Sequence, residues 1–299
     1  MSDHPSAHPP TTGITKAAIW MIGAIVSFSS MAVAGRELGG QLDTFEIMLF
    51  RSLFGFVVVA ALLTFTRRWR VVRINRIGTH FFRNIAHFIG QNLWFFAVTA
   101  APLATVFALE FTTPLWVILL SPLLLAERLT VIRTVAVILG LTGILIVARP
   151  TPDTIDAGLI AAAAAAIFFA VTMIATKRLT RHETIGGIMF WLTLIQSFLG
   201  LIAAGYDGTV TLPDAGNIVY VLVIAIGGLT AHFCITNALA IASASVVAPF
   251  DFARLPTIAI VGMILYAEPI DIWVLIGAVI IFAANYINIL AENRRFRVA

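Results

Sequence analysis

Apolar stretches follow one another from residue 17 to residue 291, each close to the ~17–25 residues that a helix needs to cross a bilayer, with only short polar breaks between them. A chain built this way must satisfy its backbone hydrogen bonds internally, and consecutive helices do so. The spacing predicts ten membrane-spanning helices, at 17–35, 45–66, 79–99, 102–125, 132–148, 157–178, 185–205, 216–239, 245–266 and 271–291. Composition agrees: 60% of the 299 residues are hydrophobic and 11% charged, whereas about a quarter are charged in soluble domains. The connections are too short for a soluble domain. Residues 1–16 are polar, lack the features of a signal peptide, and read as a disordered tail whose His4 and His8 are solvated, not metal-binding. The remaining chain divides into five helices over 17–148, five over 149–291, and a basic tail over 292–299. Cys234 is the only cysteine, which rules out an intrachain disulfide and a cysteine zinc site. No metal or cofactor is expected.

The net charge of +4 does not point to nucleic acid, because the cations are distributed by position along the chain. Arg67, Arg68, Arg70, Arg73 and Arg76 precede the third helix; Arg128, Arg133, Lys177, Arg178, Arg181, Arg294, Arg295 and Arg297 fall in loops on the same side if the helices alternate. The opposite loops carry mainly Glu37, Asp43, Asp153, Asp156, Asp207, Asp214, Glu268 and Asp271, with Arg36 and Arg149 as their cations. Cytoplasmic loops are the arginine-rich ones, so both termini are expected in the cytoplasm.

Two carboxylates interrupt the apolar pattern: Glu110 in FALEFTTP and Asp251 in APFDFARLP. They coincide when 97–127 is laid over 238–268 at an offset of 141, together with Ala97/Ala238, Phe111/Phe252 and Glu127/Glu268. Alanine matches are cheap in so apolar a chain; two coincident acids are not. A five-helix repeat has an odd number of crossings, so its second copy enters the membrane in the opposite sense. Inverted halves of this kind suit alternating access.

Several of these residues are similar to the EamA-type family of the drug/metabolite transporter superfamily. FEIMLFRSLFG (45–55), the nearly loopless VTAAPLATVFALEFTTPLWVILL (98–120), and the paired endings LLAERLT (124–130) and LYAEPID (265–271) carry the resemblance. It implies a ten-helix membrane protein with a central cavity lined by helices 1, 3, 4, 6, 8 and 9. It also implies export of amino acids or other small metabolites across the bacterial inner membrane, with protons as a candidate coupling ion.

Polar stripes give the candidate binding residues independently. Arg83, His87, Gln91, Trp94 and Phe95 recur at helical spacing on the third helix, and His232 falls on Gln91 at the same offset, with Thr236 one turn beyond. Phe168 and Thr172 share a face of the sixth helix and, with Trp116, complete an aromatic wall. Ordinary packing is the competing account for each. Ser29 and Ser30 are expected to bond the preceding helical turn. Trp20, Trp69, Trp191 and Trp273 lie near helix ends, as interfacial anchors do.

An isolated charge in the membrane is costly, so each acid needs a partner. Depth along the helices pairs Glu110 with Arg51, and Asp251 with Arg83 or Arg254. Such pairs act as struts, as gates or as proton carriers, and the sequence leaves the three open. No HExxH, GxSxG or Walker A pattern is present, which disfavours an integral membrane enzyme and ATP coupling. A channel is disfavoured by the duplication. A secondary transporter for aromatic or neutral amino acids stands first, with riboflavin-like, nucleotide-derived and drug substrates as alternatives. Nothing in the sequence specifies an oligomeric state.

Overall fold

The computed structural model describes residues 11–125, 130–149, 156–179, 182–206, 208–241, 250 and 253–298. Among these residues the chain is helical, with a single isolated bridge between Gly39 and Leu42. The helices are α1 (Thr11–Glu37), α2 (Thr44–Phe65), α3 (Ile77–Ala100), α4 (Leu103–Glu110), α5 (Thr113–Leu125) and α6 (Val131–Ala148). They continue with α7 (Ala157–Leu179), α8 (Ile185–Ala204), α9 (Ile218–Ile241), α10 (Arg254–Tyr266) and α11 (Ile272–Val298). Among the described residues, seven spans are long and apolar enough to cross a membrane. α3 is long enough at 24 residues, but its polar stripe lowers its mean hydropathy.

Three boundaries differ from the sequence expectation. α1 begins at Thr11, inside the segment read as a tail. α11 runs on to Val298 through the basic segment AENRRFRV, which contains neither the proline nor the glycine that would stop a helix. The third difference bears on function: the continuous helix expected over 102–125 breaks after Glu110. Pro114 has no N–H to offer the Glu110 carbonyl. The Thr113 hydroxyl donates to that carbonyl instead, at 2.7 Å, and Thr112 does the same for Leu109 at 2.6 Å. Glu110 therefore ends one short helix within the bundle instead of sitting mid-helix.

Four long pairings build the bundle: α1 along α9, α3 along α7, α2 along α8, and α6 along α11. The α6/α11 seam is close because Gly143 and Gly277 face each other; a Cβ on Gly143 would lie 2.9 Å from the Gly277 carbonyl oxygen. α4 packs on α10 near the middle. Phe95, Phe107, Leu109, Leu115, Ile224 and Ile258 are fully or almost fully buried there. Large apolar side chains such as Val57, Leu62, Ile138, Phe198, Ile202 and Val279 are exposed on the outside, as suits a lipid-facing surface.

The two ends of the bundle are tied differently. At the acid-rich end Arg36 pairs with Glu268 and also donates to the carbonyls of Val98 and Ala101, while Glu268 accepts from the Leu103 N–H at 3.0 Å. Arg149 pairs with Asp271, and Tyr266 donates to Glu37 at 2.9 Å. Asp43 caps α2 in a reciprocal box with Glu46, whose other oxygen accepts from Thr211 N–H at 2.6 Å. At the arginine-rich end the link is lighter: Trp191 donates to the Arg73 carbonyl at 2.7 Å, and Arg67, Arg68, Arg70, Arg73 and Arg76 are exposed.

Candidate functional site

The polar stripe of α3 faces α7 and α8 in the interior. Arg83 donates from Nε to the Thr176 hydroxyl of α7 at 3.1 Å and from a terminal nitrogen to Asn84 at 3.2 Å. Gln196 of α8 donates to the Asn84 carbonyl at 3.3 Å. One turn along, His87 lies against Phe169, with ring centroids 6.2 Å apart. His87 is 7% exposed and Gln91 6%, yet both imidazole nitrogens and the Gln91 carbonyl oxygen have no hydrogen-bond partner. Buried polar atoms are normally paired, and leaving one unpaired costs about 1–3 kcal/mol. A side chain kept in that condition is suited to a ligand that supplies the missing bonds.

Across from this stripe, Arg51 and Ser52 of α2, Thr193 and Gln196 of α8, and Gly228 and His232 of α9 line a narrow cleft of about 30 Å³, roughly enough for one or two water-sized groups. Gly228 lets the Arg51 guanidinium lie against the α9 backbone: a Cβ there would be 2.8 Å from a terminal nitrogen, so a larger residue would displace the guanidinium. His232 also meets Phe28 of α1 edge-on, at 6.0 Å and 84°.

The far end of the stripe has a different character. Trp94 donates from its indole N–H to Glu110 at 2.8 Å, and the other Glu110 oxygen accepts from Arg254 at 3.3 Å. The Arg254 guanidinium is surrounded by the rings of Phe28, Phe111 and Phe107, at 4.7, 5.0 and 5.5 Å. This contact holds α3, α4 and α10 together, with α1 stacked on it. Arg254, not Arg51, is therefore the partner of Glu110. Counting residues gives a depth in the membrane but no azimuth around the bundle, and Arg51 lies in the cleft between α2, α8 and α9. Asp251 and the side chain of Thr236 lie outside the described residues.

The remaining expected residues divide between lining and packing. Phe95 is 1% exposed and sits on Gly35 of α1, edge-on to Trp94, in the apolar core. Trp116 donates to Thr112 of its own chain segment at 3.2 Å, and Thr172 to the Phe168 carbonyl at 2.8 Å, so neither presents a free donor. Phe168 packs where α7 meets Gly90 of α3. Ser29 does not bond the preceding turn; its buried hydroxyl has no partner. Thr176, Asn84, Gln196 and Phe28 take part without having been singled out. Thr176 is one turn beyond Thr172 on a stripe already recognised, and Gln196 is the one amide within its apolar helix; Phe28 carries no such signal.

A family comparison gives this interior its context. Two stretches of the chain, 15–149 and 156–290, each match the EamA-like transporter family. The chain belongs to that family. It is a multi-pass membrane transporter, with the same family unit present twice. An S-adenosylmethionine uptake transporter of Rickettsia felis is 25% identical over 276 residues, covering 92% of each chain. Riboflavin transporters of Vibrio cholerae and Brucella anthropi are 28% and 29% identical, over 94% and 89% of this chain and 94% and 95% of theirs. A crystal structure with 19% sequence identity superposes with a TM-score of 0.63 over 94% of this EamA-like chain and 98% of its own, which shows a shared fold. These relatives are named for S-adenosylmethionine and riboflavin; the amino-acid export suggested by the sequence resemblance is not among their names.

Proposed function

We propose that this chain is a secondary transporter of the bacterial inner membrane for a small metabolite bearing a nitrogen-containing aromatic ring. It works by alternating access between two inverted five-helix halves. The observation that carries this reading is the pair His87 and Gln91, buried with unsatisfied polar atoms, with the Phe169 ring against His87. Ring nitrogens and a side-chain amide recognise heteroatoms on a ligand edge, while an aromatic wall takes its face. S-adenosylmethionine and riboflavin, for which the relatives are named, both offer such a ring. Aromatic and neutral amino acids fit the polar groups but give less to the wall, so we place them second. Uptake, named for one group of relatives, goes ahead of export, with protons as the candidate coupling ion.

Two observations support the inverted halves. The family unit occurs twice, and the long pairings α1/α9 and α3/α7 exchange, while α2/α8 and α6/α11 map onto themselves, when each helix is swapped for its counterpart in the other half. The arginine-rich end supports cytoplasmic termini.

The test is uptake into proteoliposomes of labelled S-adenosylmethionine, riboflavin and phenylalanine, with and without a pH gradient. Saturable entry of one of the first two, above that of phenylalanine, is expected; entry of phenylalanine alone, or of none, overturns the proposal. In a Cys234→Ala background, cysteines beside Arg73 and Lys177 should react only from the cytoplasmic side, and those beside Asp207 and Asp271 only from outside. Labelling of both sets from one side contradicts the topology.

A further inference from the structure

Among the described residues, two arginines of the membrane interior are served by no carboxylate. The ion pairs among the described residues are Arg36–Glu268, Arg149–Asp271 and Arg254–Glu110. Arg51 makes one long contact, to the Met48 sulfur at 4.0 Å, and its guanidinium lies over the bare backbone of Gly228. Arg83 uses two of its nitrogens on the neutral side chains of Thr176 and Asn84. Each guanidinium has five N–H donors, so most of them remain available.

Arg51 and His232 line one cleft together with Gln196, and Gln196 and Arg83 both donate to Asn84, about one turn of α3 before His87. α2 and α9 thus bring Arg51 and His232 to the cleft, and α3 brings Arg83 and His87 to its side through the link between Asn84 and Gln196. α8 adds the Thr193 hydroxyl and the Gln196 amide, whose carbonyl oxygen is likewise unpartnered. Gathering like charges at low dielectric, without a counter-charge, is costly. A planar guanidinium fork is also the side chain best matched to an oxyanion. Phe169 lies beside His87 and Phe28 beside His232, with ring centroids 6.2 and 6.0 Å apart.

We infer that Arg51 and Arg83, with His87 and His232, receive an oxyanion of the transported metabolite, a carboxylate or a phosphate, while its ring lies toward Phe169 or Phe28. The word "transported" rests on the function proposed above; the anion site itself does not. The cleft is narrower than a whole metabolite, so the rest of the ligand occupies space opened when the surrounding helices separate.

The experiment reads binding apart from transport. The full chain in nanodiscs is melted in rising acetate or orthophosphate, with chloride substituted to hold ionic strength constant. A saturable rise in melting temperature over the chloride control is expected. Arg51→Gln and Arg83→Gln should weaken the apparent affinity at least tenfold, while Arg76→Gln, at the exposed arginine-rich end, should leave it unchanged. Gly228→Ala changes no charge but places a methyl group 2.8 Å from a terminal nitrogen of Arg51, so that the guanidinium must shift. It should weaken binding as much as Arg51→Gln, and it keeps the idea testable if the arginine variants do not fold. No difference from chloride, or a loss confined to Arg76→Gln, overturns the inference. Oxyanion binding without uptake of any metabolite removes the transport reading alone. Equal uptake of riboflavin and its 5′-phosphate, unaffected by Arg83→Gln, removes the anion site's part in transport and leaves transport standing.

Discussion

Arg254 and Arg51 are both arginines buried within a helical bundle, and their surroundings are opposite. Arg254 has Glu110 at 3.3 Å and three phenylalanine rings around its guanidinium. Arg51 has a thioether sulfur at 4.0 Å and a glycine backbone. One cation is closed off by its neighbours; the other is left with its donors uncommitted. The interior acid Glu110 is assigned to the first region, where it joins helices from both family units, and not to the second. The Glu110 contact ties α3, α4 and α10 together. The Arg51 guanidinium has neither a carboxylate nor a ring against it among the described residues.

The largest effect that would sharpen this contrast comes from Glu110→Gln. Removing one partner of a buried ion pair costs about 3–5 kcal/mol, and the Trp94 indole loses its charged acceptor as well. Thermal or denaturant unfolding in detergent should show that loss, and adding Arg254→Met to the variant should recover part of it. If Glu110→Gln unfolds like the wild-type protein, Glu110 is not a strut.

Chamber residues should behave in the opposite way. His87→Ala and Gln91→Ala remove polar atoms that have no partner to lose, so stability should change by less than about 1 kcal/mol. Transport in proteoliposomes should nevertheless fall at least tenfold, or ~1.4 kcal/mol in transition-state terms. Unfolding in proportion to the transport loss would instead make the α3 stripe a packing surface.

Smaller effects belong to the acid-rich end. The Arg36–Glu268 pair is mostly buried and shares backbone bonds with α3 and α4, and a double-mutant cycle with Arg36→Gln and Glu268→Gln should give a coupling near 1 kcal/mol. Arg149 is half exposed in its pair with Asp271, so Arg149→Gln should cost a few tenths of a kcal/mol, about the level typical of surface pairs, and less in high salt. A larger cost for Arg149 than for Arg36 would mean that burial does not rank these links.

The α3 stripe shows how far periodicity carries. Each four-residue step turns a helix about 40° past a full turn. Three such steps from Arg83 leave Phe95 roughly 120° round the helix, whereas Trp94 returns to within about 20°. That drift explains why Trp94 reaches Glu110 while Phe95 packs on Gly35. The break after Glu110 was present in the sequence as Thr112, Thr113 and Pro114, but a hydropathy window averages over it. The pairing of Glu110 was legible as a need, because a carboxylate in hydrocarbon demands a partner.

The sequence by itself determined that this chain is a membrane-embedded bundle of helices, that it carries its charges asymmetrically, and that α3 has one polar face. Each follows from local chemistry: the length of apolar runs, the cost of burying charge, and the pitch of the helix. Tertiary structure alone decided which arginine meets Glu110, that Arg51 lies over Gly228, and that His87 and Gln91 end without partners. Those outcomes depend on how helices far apart in the chain are rotated against one another, and no spacing along a single helix encodes that angle.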